Sequence, residues 1–218
     1  MNDEDLKGSI VLDLYKIACE KESELELPFW FVGQSMQSNF DCPKESNSLV
    51  PMGKDFGYQH IWQESSCDIT NSNIQFNWFN SNRFYTITAY ADKGDKVIKG
   101  RAGANDPNYN LRPDPVLVHR KMNSKNTYFI SVIEAHGLYD RATEIPENPY
   151  GTIRTVSKIY EDENYLIASF ETEQYRWEIM LSLSNNNTNK NHQVHSEGKT
   201  YVWIGTTKIK KIKIKQNE

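Results

Sequence analysis

The sequence predicts an all-β protein, an antiparallel β-sandwich, on three observations. Short stretches in which apolar and polar residues alternate recur through most of the 218 residues, with Asn, Gly, Asp and Pro between them. Aromatic residues, including five Trp and twelve Tyr, are mixed with β-branched ones rather than set at helical intervals, which suits pleated surfaces. Several stretches are apolar on both parities, so their strands are buried on two faces and call for stacked sheets. All-β folds of this length are commonly undivided, and one domain over residues 1–218 is expected.

Residues 10–22 fit neither the helical nor the strand period cleanly; the run Val11-Leu12-Asp13-Leu14-Tyr15 favours a strand, with a loop following at residues 20–26. Ile74, Phe76 and Trp78 alternate with Gln75 and Asn77, and Asn80-Ser81-Asn82 then turns the chain into residues 84–90, a hairpin. Residues 128–133, 153–159, 165–170, 175–183 and 201–204 read as further strands. Residues 184–193, SNNNTNKNHQ, are polar and low in complexity and read as a flexible loop. Lys and Ile alternate over residues 208–215, but Lys210-Lys211 breaks the phase, predicting a bulge or an edge strand guarded by lysine.

Charge and composition exclude some functions. A net charge of -4 offers no electrostatic pull toward phosphate, so a nucleic acid partner is not expected. No run approaches the roughly 18 to 20 apolar residues a membrane helix needs, so no membrane span is expected. Cys19, Cys42 and Cys67 are odd in number and lack metal or redox spacing, so one disulfide is the most they could form. The acidic start, from Met1 to Lys7, has no basic region leading into an apolar run, and no signal peptide is expected. P-loop, dinucleotide, HExxH and G-x-S-x-G patterns do not occur, so neither a cofactor nor a resident metal is predicted.

Four groups of residues could bind or react. Gly100 to Arg120 is too long and too rich in Asx and Pro for an ordinary hairpin, and it could build a surface. Within it, Asp106, Asn108 and Asn110 alternate as in a calcium loop, but Leu111 and Leu117 replace the glycine and the bidentate glutamate. Arg101 and Arg112 flank this Asx cluster, which includes Asn105, and a guanidinium can clamp a uronate carboxylate or bond a neighbouring aspartate. Tyr58, His60 and Trp62 would share one face of a strand, either as a sugar-stacking strip or as a core strand. Glu134 and His136 would also share a face, as a proton-relay pair or as a strand end held in a turn. His192 and His195 lack a third ligand and make a weak zinc case.

These residues carry a resemblance. Leu12-Asp13-Leu14-Tyr15, Leu27-Pro28-Phe29-Trp30, Gly57-Tyr58-Gln59-His60-Ile61-Trp62, Arg83-Phe84-Tyr85-Thr86, Gly103-Ala104-Asn105-Asp106-Pro107-Asn108-Tyr109-Asn110-Leu111-Arg112 and Ser131-Val132-Ile133-Glu134 occur in that order. In this the chain resembles the C-terminal β region of heparinase II/III-like polysaccharide lyases of the oligoalginate lyase type. The resemblance implies an α-helical toroid followed by a β super-sandwich, with substrate between them and β-elimination at a uronic acid as the reaction. A neutralised carboxylate acidifies the C5 proton, a base removes it, and an acid protonates the departing glycosidic oxygen. In such enzymes a tyrosine of the toroid, with Asn and His neighbours, does this work. Nothing in this sequence resembles the toroid, so a truncated, partial super-sandwich is expected. Relatives of this kind usually work in the periplasm or outside the cell. Some hold a zinc through two histidines and an aspartate, a triad that does not map onto this sequence, and Ala135 stands where a proline is common before His-Gly.

Two functions follow as expectations. The first is the β-sandwich part of an alginate or uronate lyase, structural or substrate-assisting and not catalytic alone, working with a separate helical toroid chain on an acidic polysaccharide or oligosaccharide. The second is a carbohydrate-binding module for acidic polysaccharides, using Tyr58, His60, Trp62, Arg101 and Arg112. A lyase active through Tyr58 or His136 would need acid, base and carboxylate clamp inside one sandwich.

Overall fold

The computed structural model describes residues 1, 3, 5, 6, 8–43, 50–103, 114–184 and 186–214. The expectation of an all-β antiparallel fold holds: these residues form antiparallel strands, with no α-helix among them. β1 (Ile10–Trp30), β2 (Gln34–Ser38) and β3 (Val50–Pro51) lead through a 3₁₀ turn at Tyr58–His60 into β4 (Ile61–Asp68). β5 (Asn73–Asn80), β6 (Arg83–Tyr90), β7 (Lys96–Ala102) and the long β8 (Asp114–Asp140) follow. β9 (Ile145–Glu147), β10 (Thr155–Glu161), β11 (Tyr165–Glu171), β12 (Tyr175–Ser182), β13 (Asn191–Ser196), β14 (Lys199–Ile204) and β15 (Thr207–Lys213) complete the order.

β8 organises the largest sheet. β1 runs antiparallel beside it from Ile10 opposite Glu134 to Trp30 opposite Val116. On its other side β8 pairs first with β7, through residues 114–120, and then with β6, through residues 131–138. Two wings therefore leave the same edge: β7, β4 and β3 from its first half, β6, β5 and β2 from its second. One apolar cluster draws on both, with Val97 and Leu117 beside Ile74, Phe76, Trp78 and Ile87, so the sheet closes over its own inner face. The opposite face of the second wing packs on the sheet β10-β11-β12-β15, where Ile130 and Val132 of β8 meet Leu166, Phe170 and Trp177. The hairpin β13–β14 covers that sheet's outer side with Val194, Tyr201 and Trp203 against Ile167 and Met180.

Local chemistry accounts for the turns. Ser81 and Asn82 have φ of 49° and 67°, the left-handed pair a two-residue hairpin requires, so the expected β5–β6 hairpin forms. β15 is a sheet edge, as the Lys-Ile alternation predicts, with Lys208, Lys210 and Lys213 exposed and Lys211 paired with Asp3 and Asp5; it pairs with β12 in unbroken register, without the alternative bulge. The loop expected at residues 20–26 is instead strand, because β8 continues alongside; register shifts between Ala18 and Leu25 absorb its charged residues. The polar tract likewise ends early, since Asn191 to Gln193 already belong to β13, and His192 is buried against Trp203. Cys42 and Cys67 form the single disulfide the cysteine count allowed, and Cys19 is free. No helix among the described residues is long and apolar enough to cross a membrane.

Candidate functional site

The first wing carries most of the residues singled out from sequence. Gly57, at φ 92°, turns the chain so that Tyr58 to His60 form a 3₁₀ turn, closed by Tyr58 N–H on Asp55 O and His60 N–H on Gly57 O. Tyr58, His60 and Trp62 therefore do not alternate along one strand face, contrary to expectation; only Trp62 lies in β4. Trp62 is paired in register with Arg101, and Gly103 N–H donates to His60 O at 3.0 Å, so this turn flanks the end of β7. Asn105, Asp106, Asn108 and Arg112 lie outside the described residues.

The polar groups of this wing bond one another. Tyr58 donates its hydroxyl to Glu26. Burial, and then the bond to Glu26 and its charge, push the phenol up to about 12, so Tyr58 keeps its proton at neutral pH and acts as a donor. The Arg120 guanidinium reaches Glu26 at 2.5 Å and Glu24 at 3.6 Å. Arg101 donates from Nε to Glu64 Oε1 at 2.8 Å, so the carboxylate it holds is internal.

Glu134 and His136 act on backbone. Glu134, 2% exposed, accepts Thr152 N–H at 2.8 Å and the Thr152 hydroxyl on Oε1, and Ile153 N–H at 3.1 Å on Oε2. His136 Nδ1 lies 2.8 Å from Asn148 O, an acceptor only, which fixes a proton on Nδ1. Its Nε2 lies 2.9 Å from Thr86 Oγ1, which in turn accepts from Asn77 Nδ2 at 3.1 Å. The two side chains thus clamp residues 148–153 onto the sheet, and the relay reading loses its geometry because both carboxylate oxygens already serve amide or hydroxyl donors. Gly151 permits the approach, since a Cβ there would stand 2.6 Å from Glu134 Oε2.

Two constellations were not found from sequence. At the corner between the wings, Lys121, 1% exposed, contacts Asp92 at 2.7 Å and Asp95 at 2.9 Å, and Asp95 bonds His119 Nε2 at 2.7 Å. Its only sequence signal is the His119-Arg120-Lys121 run that follows the apolar Val116-Leu117-Val118. On β5, the amides of Asn73, Gln75 and Asn77 bond the crossing segment through Val156 O and N, Ile153 O and Pro149 O. Sequence marked Gln75 and Asn77 only as polar positions alternating with the apolar residues of a hairpin strand.

Among the described residues, no site fits the zinc that the resemblance implies. Among the described residues no group of three His, Cys, Asp or Glu could hold a metal. His119 and Asp95 stand together, but the Lys121 ammonium bonds the same Asp95 oxygen at 2.9 Å, and a cation there opposes a second one.

The chain is 29% identical over 212 residues to the exo-oligoalginate lyase of Saccharophagus degradans, covering 96% of this chain and 29% of that protein. It is 29% identical over 203 residues to the alginate lyase of Stenotrophomonas maltophilia, covering 93% of this chain and 27% of that one. Both relatives carry the name of alginate lyases, and the chain is similar to one stretch of each. It spans less than a third of the length of the curated relatives it matches, and no family model matches it. Among the described residues, Tyr58, Arg101, Glu134 and His136 are each held in internal bonds.

Proposed function

We propose that this chain is the β-sandwich part of a heparinase II/III-like alginate or uronate lyase, supporting or binding substrate without eliminating by itself. One observation carries the reading: the likeness runs through nearly all of this chain but less than a third of each relative. The rest of such an enzyme, a helical toroid in the same polypeptide or a separate subunit, would supply the base and acid. The geometry supports a non-catalytic role, because the Tyr58 hydroxyl is engaged by Glu26, Arg101 neutralises Glu64 and Glu134 clamps backbone. The layers share β8 and its two faces, which favours a single domain. The Cys42–Cys67 bridge suits an oxidising compartment such as the periplasm.

Elimination leaves a C4–C5 double bond that absorbs in the ultraviolet, so the test is direct. Purified chain incubated with alginate and oligoalginate gives no rise in absorbance, and a toroid fragment of a related lyase added to it does. A sustained rise from the chain alone overturns the reading.

A further inference from the structure

Beside the clamped segment lies a cleft of about 270 Å³, just below the usual range of small-ligand sites, and it is separate from the Tyr58–Arg101 surface. Its floor includes Gln75 and Asn77, and Gln37, Asn39, Tyr150 and Arg154 stand around them. In a chain of net charge -4, this cleft has one cation and no carboxylate among its lining residues.

The floor presents acceptors in a fixed direction. Asn77 Nδ2 donates to Pro149 O at 2.9 Å and Gln75 Nε2 to Ile153 O at 3.0 Å. Those carbonyls can only accept, so each amide must turn its nitrogen toward the crossing segment and its oxygen away. Asn77 Oδ1 and Gln75 Oε1 receive no donor among the described residues, and neither is sealed from solvent. Two oriented acceptors on a rigid strand suit the hydroxyl donors of a sugar.

The rim supplies the rest. Tyr150 is 65% exposed, yet its backbone neighbours are pinned: Pro149 O by Asn77, and Gly151 by close packing on Thr86 and Glu134. Its ring lines the cleft mouth and offers a flat apolar face, the form on which a pyranose stacks. Arg154 Nη2 pairs with Glu173 at 2.5 Å, but both side chains are more than half exposed. Such a pair contributes little and can exchange for a ligand carboxylate.

We propose that this cleft is a subsite for an acidic oligosaccharide. The uronate ring stacks on Tyr150, its carboxylate bonds Arg154, and its hydroxyls donate to Asn77 and Gln75. The identity of the sugar as a uronate rests on the function proposed above, whereas the place of binding does not.

Calorimetry on the full chain tests it, with a mannuronate trisaccharide and a neutral cello-oligosaccharide of equal length as probes, and Y150A, R154A and R101A as variants. Tyr150 and Arg154 are surface residues, and thermal melts check that each variant folds. The expected result is binding of the mannuronate oligomer, weakened roughly fivefold by Y150A. R154A weakens it about tenfold and abolishes the preference over the neutral sugar. Parental affinity in both Y150A and R154A overturns the cleft, as does absence of any binding. If R101A alone weakens binding, the cleft is wrong and the reading of the chain as a substrate-binding lyase part survives. If both sugars bind equally and Y150A weakens both, the site stands as a saccharide site but its acidic ligand, and the uronate reading behind it, fall.

Discussion

Replacing Glu134 by Gln separates a backbone clamp from a proton-relay residue. Oε1 receives both the amide and the hydroxyl of Thr152, while Oε2 receives Ile153 N–H. Glutamine can keep its oxygen toward Thr152, which leaves its NH₂ facing Ile153 N–H, two donors with no acceptor between them. A charge-assisted bond worth about 1.5–3 kcal/mol is lost, and an orphaned buried N–H costs about 1–3 kcal/mol more. These figures overlap in what they count, so about 2–4 kcal/mol of stability should go. For a chain of this length that lowers Tm by about 5–15 °C. Urea unfolding measures the loss, and amide exchange localises it: Thr152 and Ile153 should lose protection while the β11–β12 pairing keeps its own. A parental urea midpoint with unchanged protection at both amides would refute the clamp.

Lys121→Met strands Asp95 in the corner and should cost about 3–5 kcal/mol in urea unfolding. Burial pushes the Asp92 and Asp95 carboxyls up, but bonds from Lys121, Tyr90 and His119 outweigh it and hold both below the ordinary value. Depressed folded pKa values mean stability that is present above the unfolded value, about 3.9, and lost as pH falls through the folded ones. Burial also depresses His119, so the unfolded chain takes up a proton near pH ~6.5 that the folded one refuses, and stability should begin to fall below that pH. A urea midpoint constant from pH 7 to pH 3 would contradict both. Removing the disulfide as the C42S/C67S pair frees a loop of sequence separation 25 and should cost about 3.5 kcal/mol, while thiol titration of unfolded, unreduced chain should find Cys19 alone. Arg101→Ala breaks a half-exposed pair with Glu64 and should change stability by less than about 1 kcal/mol, read from thermal melts.

Much of the fold was legible because its causes are local. Alternation placed the hairpin through Ser81 and Asn82, and the lysines of β15 marked a real edge. The errors arose where distant pairing overruled local character. Residues 20–26 look like a loop, yet β8 pairs along them and makes them a bulged strand. Tyr58 to Trp62 looks like a strand until Gly57 adopts a left-handed φ. The sites were less legible still. Glu134 and His136 were visible as residues, but three of their bonds go to backbone atoms 12 to 19 positions onward, which leave no mark in side-chain composition. Lys121 finds its carboxylates 26 and 29 residues away for the same reason.

The crossing segment from Asn148 to Val156 joins these findings physically. It must pass from the β8 sheet to the next sheet, and its amides and carbonyls would be buried without ladder partners. Asn73, Gln75 and Asn77 supply donors or acceptors from β5, and Glu134 and His136 from β8, on the far side of β6. Satisfying the crossing fixes the direction of each amide, and that direction leaves two oxygens outward beside Tyr150. The cleft is therefore a by-product of how the connection is held. A surface of this kind needs no loop of its own, which is why the arginine-rich and Asx-rich stretch between β7 and β8 drew attention as a binding surface while the plain polar side of β5 did not.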